Sequence, residues 1–293
     1  MKNSIAYFYD IYADNIVQKD DLYKISSKDQ NYILKIFDFP LEKLNSIYSF
    51  LMNNGIHCDN LLMNNKQQLI TYINNIPYIL IKKNATLRDN TLNINSIINF
   101  NIPLYNVSSE NWAKLWAEKL DYYEYQINQF AKKYPKIRES FSYYNGLSET
   151  AIELASLIDF KKMRYYLNHK RINKKLTMED FYDPTNIIYD VKVRDISEYF
   201  KISFFENDLD LNEIIDYFIN VKLTNEEAIL FLARMLFPTY YFDLYDLVIR
   251  EKESDEKLSY YIEKIEDYEA FIIQLYNYMI NYYSLPNIEW LKK

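Results

Sequence analysis

Only two glycines, Gly55 and Gly146, occur in 293 residues, and neither belongs to a motif. Glycine is the residue that lets a backbone take positive φ or close tightly around a phosphate. The chain has no GxGxxG fingerprint and no Walker loop. Any nucleotide would have to be held without one. The remaining composition is that of a folded protein. Hydrophobic residues make up 49% and aromatic residues 17%, which excludes global disorder. The length suits one large domain or two smaller ones. Basic and acidic residues number 34 and 41, a formal net charge of −7, which argues against general nucleic-acid binding, because that requires a surplus of Lys and Arg. The 31 tyrosines, with abundant Asn, Ile and Lys, carry the mark of an AT-rich genome before any functional signal. Cys58 is the single cysteine, so no internal disulfide forms, as in a reducing interior. The amino terminus lacks an apolar signal core, and apolar runs such as Ile76 to Ile81 are too short to span a bilayer. The expectation is a soluble, cytoplasmic protein with no membrane span.

Residues 22–37 read as a hairpin around a polar turn between Ser26 and Asn31. Leu41, Leu44, Ile47, Tyr48 and Leu51 recur at helical spacing over 41–53, and Gly55 follows as a C-cap. Gln68 to Ile73 and Tyr78 to Lys82 form a second hairpin around Asn74, Asn75 and Pro77. Residues 84–108 are Asn-rich and weakly periodic. Beyond them the chain turns helical. Ser108 or Ser109 caps a helix carrying Trp112, Trp116, Leu120, Tyr123, Ile127 and Phe130 on one stripe, which Pro135 ends. Further helices are expected over Ser148 to Phe160, Asn225 to Phe237 and Leu258 to Tyr283, with many tyrosines on their core-facing stripes. Between them, Asn186 to Tyr189 and Val191 to Ile196 read as short strands around Asp190. The expected architecture is α+β: a small mixed lobe over 1–84, a hinge near 82–86, and a large helical lobe over 85–293.

This layout resembles the protein-kinase-like, two-lobed fold of the aminoglycoside/choline phosphotransferase superfamily, and within it the spore-coat-associated branch. LYKISSKDQNYILKIF resembles the β2–β3 hairpin, and residues 41–51 resemble the αC helix. LWAEKLDYYEYQINQ, YYNGLSETAIELA and FLARMLFPTYYFDLYDLVI resemble helices of the large lobe, and YDPTNIIYDVKVRDISEYFK falls where the superfamily places its catalytic and metal loops. The resemblance implies that Lys35 holds nucleotide phosphates, that Glu42 pairs with it, that Asp180 or Asp183 is the catalytic acid, and that Asn186 and Asp195, or Asp190, hold metal. Oxygen ligands of this kind suit Mg²⁺.

The superfamily's catalytic loop reads His-Gly-Asp followed five residues later by Asn. Here the stretch is Met178-Glu179-Asp180, with Asn186 six residues after Asp180 and three after Asp183. Neither register fits, and phosphoryl transfer tolerates little misplacement of its acid and metal ligands. The resemblance with these departures implies a catalytically degenerate, pseudokinase-like protein of spore-coat type, structural or interacting with protein partners, and needing no cofactor. The alternative is an active small-molecule phosphotransferase using ATP and Mg²⁺.

Plainer readings stand beside several of these residues. Lys35 also suits an edge-strand surface, and Glu42 a first turn favoured by the helix dipole. Asp183 and Asp190 also suit turns. Arg194, Asp195 and Glu198 also suit a buried Arg–carboxylate tie between the 186–196 segment and a neighbouring helix. His57-Cys58-Asp59-Asn60 reads as a loop. Lys161 to Lys175 holds seven basic residues and no acid, which is either an anionic-ligand surface or a solvated face.

Overall fold

The computed structural model describes residues 1–19, 22–84, 93–104, 111–172 and 181–292. The chain divides into two compact units, one of residues 1–93 with 169–188, the other of 94–168 with 189–293.

The first unit is built on strands β1 (Asn15–Lys19), β2 (Leu22–Ser27), β3 (Gln30–Ile36), β4 (Asn60–Leu62), β5 (Ile70–Ile73) and β6 (Ile76–Lys82), with helices α1 (Lys2–Tyr9) and α2 (Leu41–Asn53). The antiparallel sheet runs β1-β2-β3-β6-β4, with β5 also paired to β6. Both expected hairpins are present. The β2–β3 turn is Lys28-Asp29 (φ 47° and 62°) and the β5–β6 turn is Asn74-Asn75 (φ 51° and 64°). Positive φ at both central residues matches the right-handed twist of the flanking strands, and Asn and Asp tolerate it best after glycine. Gly55 lies just beyond α2 with φ 65°, and Ile56 N–H closes onto Leu51 O at 2.9 Å, so the expected cap forms.

Strand β6 is apolar from Ile76 to Ile81, and its buried stretch from Tyr78 to Ile81 is covered on both faces. Leu80 packs in the cluster of Ile5, Ile25 and Leu34, whereas Ile79 and Ile81 pack with Phe37 and Leu44. The register pairs Lys24 with Ile33, Ile33 with Ile81, and Lys35 with Ile79. The two-residue period of a strand therefore puts Lys35, Ile33 and Lys24 on one face.

The second unit contains α3 (Ile94–Phe100), β7 (Pro103–Leu104), α4 (Trp112–Phe130), α5 (Pro135–Ser156), α6 (Arg194–Phe205), α7 (Leu211–Asn220), α8 (Asn225–Leu236), α9 (Thr239–Ile249), α10 (Ser259–Glu263) and α11 (Ile265–Met279). Strands β8 (Tyr165–His169) and β9 (Ile187–Val191), each with residues assigned to both units, form a sheet ordered β7-β8-β9. Ser108 and Ser109 lie outside the described residues, and Asn111 caps α4 by accepting from Lys114 N–H.

Four sequence expectations are corrected. Pro135 does not end α4. It opens α5 at a first-turn position, where its missing N–H costs nothing. Helix α5 then runs straight through Gly146, because Ile137, Phe141, Tyr144, Ala151 and Leu154 bury one continuous stripe on either side of it. Val191 to Ile196 is not a strand. The chain leaves β9 at Val191 and enters α6 at Arg194, where Ile196, Tyr199, Phe200 and Ser203 repeat at helical spacing. The last long helix is interrupted at Lys264.

Aromatic residues fill much of this core. Tyr123 stacks on Phe242 at 4.3 Å, Tyr144 on Tyr241 at 3.9 Å, and Trp116 on Phe237 at 4.4 Å. Among the described residues no helix is long and apolar enough to cross a membrane.

Candidate functional site

Lys35 and Asp183 meet in the first unit. The Lys35 ammonium donates to Asp183 Oδ2 at 2.7 Å. Asp183 Oδ1 accepts from the backbone N–H and the hydroxyl of Thr185, at 2.8 and 2.6 Å. The Asp183 carbonyl accepts from Asn186 N–H at 2.9 Å, closing the Asp-Pro-Thr-Asn turn. Burial pushes the Asp183 pKa up, but the charge and hydrogen bond of Lys35, the Thr185 hydroxyl and the charge of Lys83 outweigh it, so the carboxyl ends below its ordinary range.

A second buried pair lies in the same unit. Asp59 accepts from Lys83 Nζ at 2.6 Å and from Asn84 N–H at 2.9 Å, while its own N–H donates to Tyr182 O at 3.0 Å. Burial raises the Asp59 pKa. The neighbouring Cys58 thiol is pushed up to about 11 by burial, then by the charges of Asp59 and Asp183, so it stays protonated at neutral pH. The 57–60 segment is the expected loop up to β4, but its aspartate is a buried counter-ion that loop composition does not reveal. A cavity of about 310 Å³ opens on the sheet face of Lys24 and Ile33, where Asn15, Val17, Asn31 and Lys83 also line it.

The other sequence-derived candidates are placed as follows. Glu42 is exposed in the first turn of α2, and the ion pair of Lys35 is with Asp183 rather than Glu42. Asp180 lies outside the described residues. The Asn186 amide donates to Arg171 O at 3.3 Å, and its carbonyl accepts from Lys170 N–H at 2.7 Å. Phe181 stands five residues before Asn186. Its fully buried ring lies 4.2 Å from the His169 ring, and its carbonyl accepts from His169 Nε2 at 2.8 Å.

Asp195 belongs to the second unit, buried in the first turn of α6, where its N–H donates to Asn168 Oδ1 at 3.3 Å. Asp190 is in β9 rather than at a hairpin tip, and it accepts from Arg194 at 2.5 Å. The expected Arg–carboxylate tie to a neighbouring helix forms with different partners. Glu198 accepts from Arg234 of α8 at 2.8 Å and lies 2.9 Å from Lys201. The Arg234 guanidinium lies 4.3 Å from the Trp112 ring centroid, a cation–π contact.

The basic run is divided. Lys161 and Lys162 are exposed in a 3₁₀ turn, Lys170 stands 3.7 Å over the Phe39 ring in the first unit, and Lys174 and Lys175 lie outside the described residues. Among the described residues no group of three or more His, Cys, Asp and Glu is arranged to hold a metal ion.

Comparison with solved proteins identifies the fold. An aminoglycoside phosphotransferase from Alicyclobacillus acidocaldarius superposes with a TM-score of 0.68 at 9% identity, covering 96% of this chain and 97% of that one. A spectinomycin phosphotransferase solved with ADP and spectinomycin gives a TM-score of 0.57 at 14% identity, over 90% of this chain and 93% of its own. An amicoumacin kinase solved with AMP-PNP and Ca²⁺ gives 0.58 at 13% identity, over 90% and 92% of the two chains. The expected kinase-like α+β fold is therefore the observed one.

By sequence, the endospore coat-associated protein YutH of Bacillus subtilis (strain 168) is 25% identical over 208 residues, covering 62% of this chain. The match spans 61% of that relative's own length. Residues 2–275 match the profile of the family described as spore coat putative kinase YutH. The chain belongs to that family, carried on the kinase-like fold of the aminoglycoside phosphotransferases.

Proposed function

We propose that this chain is a catalytically degenerate kinase-like protein that serves the spore coat as a structural or interaction component. The observation that carries the proposal is the Lys35–Asp183 pair, 2.7 Å apart. Lys35, the lysine that the resemblance sets against phosphate, is paired instead with Asp183, one of the two acids it offers for catalysis. The other oxygen of that carboxylate accepts from Thr185, so on this reading both groups serve the fold, held by each other and by Thr185.

Two sequence features support the same reading. Phe181 stands where the superfamily's spacing from Asn186 calls for an acid. The residues between β1 and β2 are Asp20-Asp21, where protein kinases place a glycine-rich loop over the phosphates. On this reading Lys35 and Asp183 serve each other in place of Mg²⁺-ATP. A coat role accords with the coat association that the Bacillus subtilis relative carries in its name.

The test is thermal unfolding, followed by circular dichroism, with and without millimolar Mg²⁺-ATP. A ligand at a hundred times its Kd stabilises by about 2.7 kcal/mol, which is about 5 °C for a chain of this size. No shift is expected, and a shift of that order overturns the degenerate reading. Absence of the protein from spore-coat extracts of its source cell overturns the coat role.

One observation favours a second reading, an ATP- and Mg²⁺-dependent small-molecule phosphotransferase. The cavity of about 310 Å³ beside Lys24 and Lys83 lies on the sheet face that carries Lys35. Phosphate transfer from ATP to an aminoglycoside or choline, lost in Lys35→Met, would establish that reading in place of the first.

A further inference from the structure

Helix α7 has more apolar surface than its own unit covers. Ile214, Tyr217 and Phe218 face the core. Leu211, Ile215 and Ile219 recur every four residues yet are 49%, 38% and 63% exposed. At about 100° per residue, the apolar arc from Tyr217 round to Ile219 spans about 200°. A core-facing stripe needs only about half of that. The exposed stripe leads into a cavity of about 370 Å³, lined by Ile219 together with Phe218, Lys222, Leu223, Tyr278, Tyr282 and Tyr283. Tyr282 is itself 67% exposed at its edge. A ridge of aliphatic residues running into an aromatic-walled pocket is the form of surface that seats an anchoring side chain of a partner.

The charge around this surface is predominantly negative, with Lys222 the one cation among the residues lining the pocket. Between Lys201 and Lys222 the sequence holds Glu206, Asp208, Asp210, Glu213 and Asp216 and neither Lys nor Arg. Asp216 is exposed on α7 beside the aliphatic stripe, and Glu206, Asp208 and Asp210 are exposed just before the helix. A two-fold contact with a second copy of this chain would set these acids against each other, which disfavours self-association through this face.

We propose that the α7 face, with its adjoining pocket, is the docking site for a basic amphipathic helix of a partner protein. The partner's apolar residues pack on Leu211, Ile215 and Ile219, a large side chain enters the Tyr278–Tyr282 pocket, and flanking Lys or Arg residues face Asp210 and Asp216. This assignment does not depend on whether the Lys35 site takes a nucleotide.

The test uses the full chain and two synthetic helical peptides with the same leucine stripe, one with lysines on its flanks and one with glutamates, measured by fluorescence anisotropy. The lysine peptide binds saturably and the glutamate peptide does not. Ile215→Asp and Ile219→Asp each weaken the lysine peptide by at least about 10-fold, as for a central anchor residue. Both substitutions add negative charge, so nonspecific attraction to an acidic protein would make binding stronger instead. Both positions are exposed, so circular dichroism and the melting temperature stay at wild-type values. The proposal is overturned by absence of binding, by equal binding of both peptides, or by affinities unchanged in the two variants. It is also overturned if light scattering shows a dimer that Ile219→Asp dissociates, since the occupant would then be a second copy.

Discussion

Removing Lys35 should cost the first unit more than removing its partner. The Lys35 side chain is 25% exposed and that of Asp183 is 8% exposed. Lys35→Met leaves an ionised, buried carboxylate. Loss of one member of a fully buried pair costs about 3–5 kcal/mol. Asp183 keeps both bonds from Thr185, and the charge of Lys83 still favours its ionised form, so the cost falls to about 2–3 kcal/mol. Asp183→Asn leaves the quarter-exposed ammonium free to reach water, while the Asn oxygen still accepts from Thr185. That change should cost about 1 kcal/mol.

The assay is hydrogen exchange by mass spectrometry on peptides covering β3 and residues 181–188. At a factor of ten per 1.4 kcal/mol, Lys35→Met speeds exchange there by roughly 30- to 150-fold and Asp183→Asn by roughly 5-fold. The double variant should fall well short of the summed effects, with a coupling of at least about 1 kcal/mol. A coupling below about 0.3 kcal/mol, the value of an exposed surface pair, refutes the argument that this pair occupies the site. So does equality of the two single variants.

The chain's two glycines should respond to alanine with opposite signs. A Cβ meets nothing within 4 Å at either position, so only the backbone differs. Gly55→Ala, at φ 65°, costs about 1 kcal/mol, whereas Gly146→Ala inside α5 gains about 0.5–1 kcal/mol, both read from denaturant midpoints. Glu198 should shape the acid limb of stability. Burial pushes its pKa up, but Lys201 and then Arg234 outweigh burial and bring it from 4.5 down to about 2. Its contribution is complete above pH 4.5 and is lost as pH falls toward about 2. Glu198→Gln, which strands two buried cations, should cost about 3–5 kcal/mol at neutral pH and flatten that limb. An acid titration unchanged in the variant would remove Glu198 from the account.

Local chemistry in the sequence accounts for the first unit well. The Lys28-Asp29 and Asn74-Asn75 turns, the α2 stripe and the β6 apolar run each declare their element within about ten residues, because hairpins and short helices are local. The second unit is harder to read. Pro135 and Gly146 carry breaker signals, yet α5 starts at one and passes through the other, since the burial of Tyr144, Ala151 and Leu154 outweighs a glycine's cost of about 1 kcal/mol. In the site, strand alternation marks Lys35 and turn chemistry marks Asp183, but their separation of 148 positions along the chain hides that they pair. Asp59 carries no sign in the sequence of its burial against Lys83, because its neighbours His57 and Asn60 have the composition of a surface loop. The spacing of residues 178–186 is visible in the sequence, whereas the burial of Phe181 against His169 is not.

The aromatic packing has a spectroscopic consequence. Trp112 and Trp116, against Arg234 and Phe237, and the half-buried Trp290 are the chain's three indoles, and all belong to the second unit. Red-edge excitation therefore illuminates one unit alone. The unit that carries Lys35 and Asp183 holds tyrosines but no indole, and a melt followed by indole fluorescence would miss a ligand that steadies only that unit.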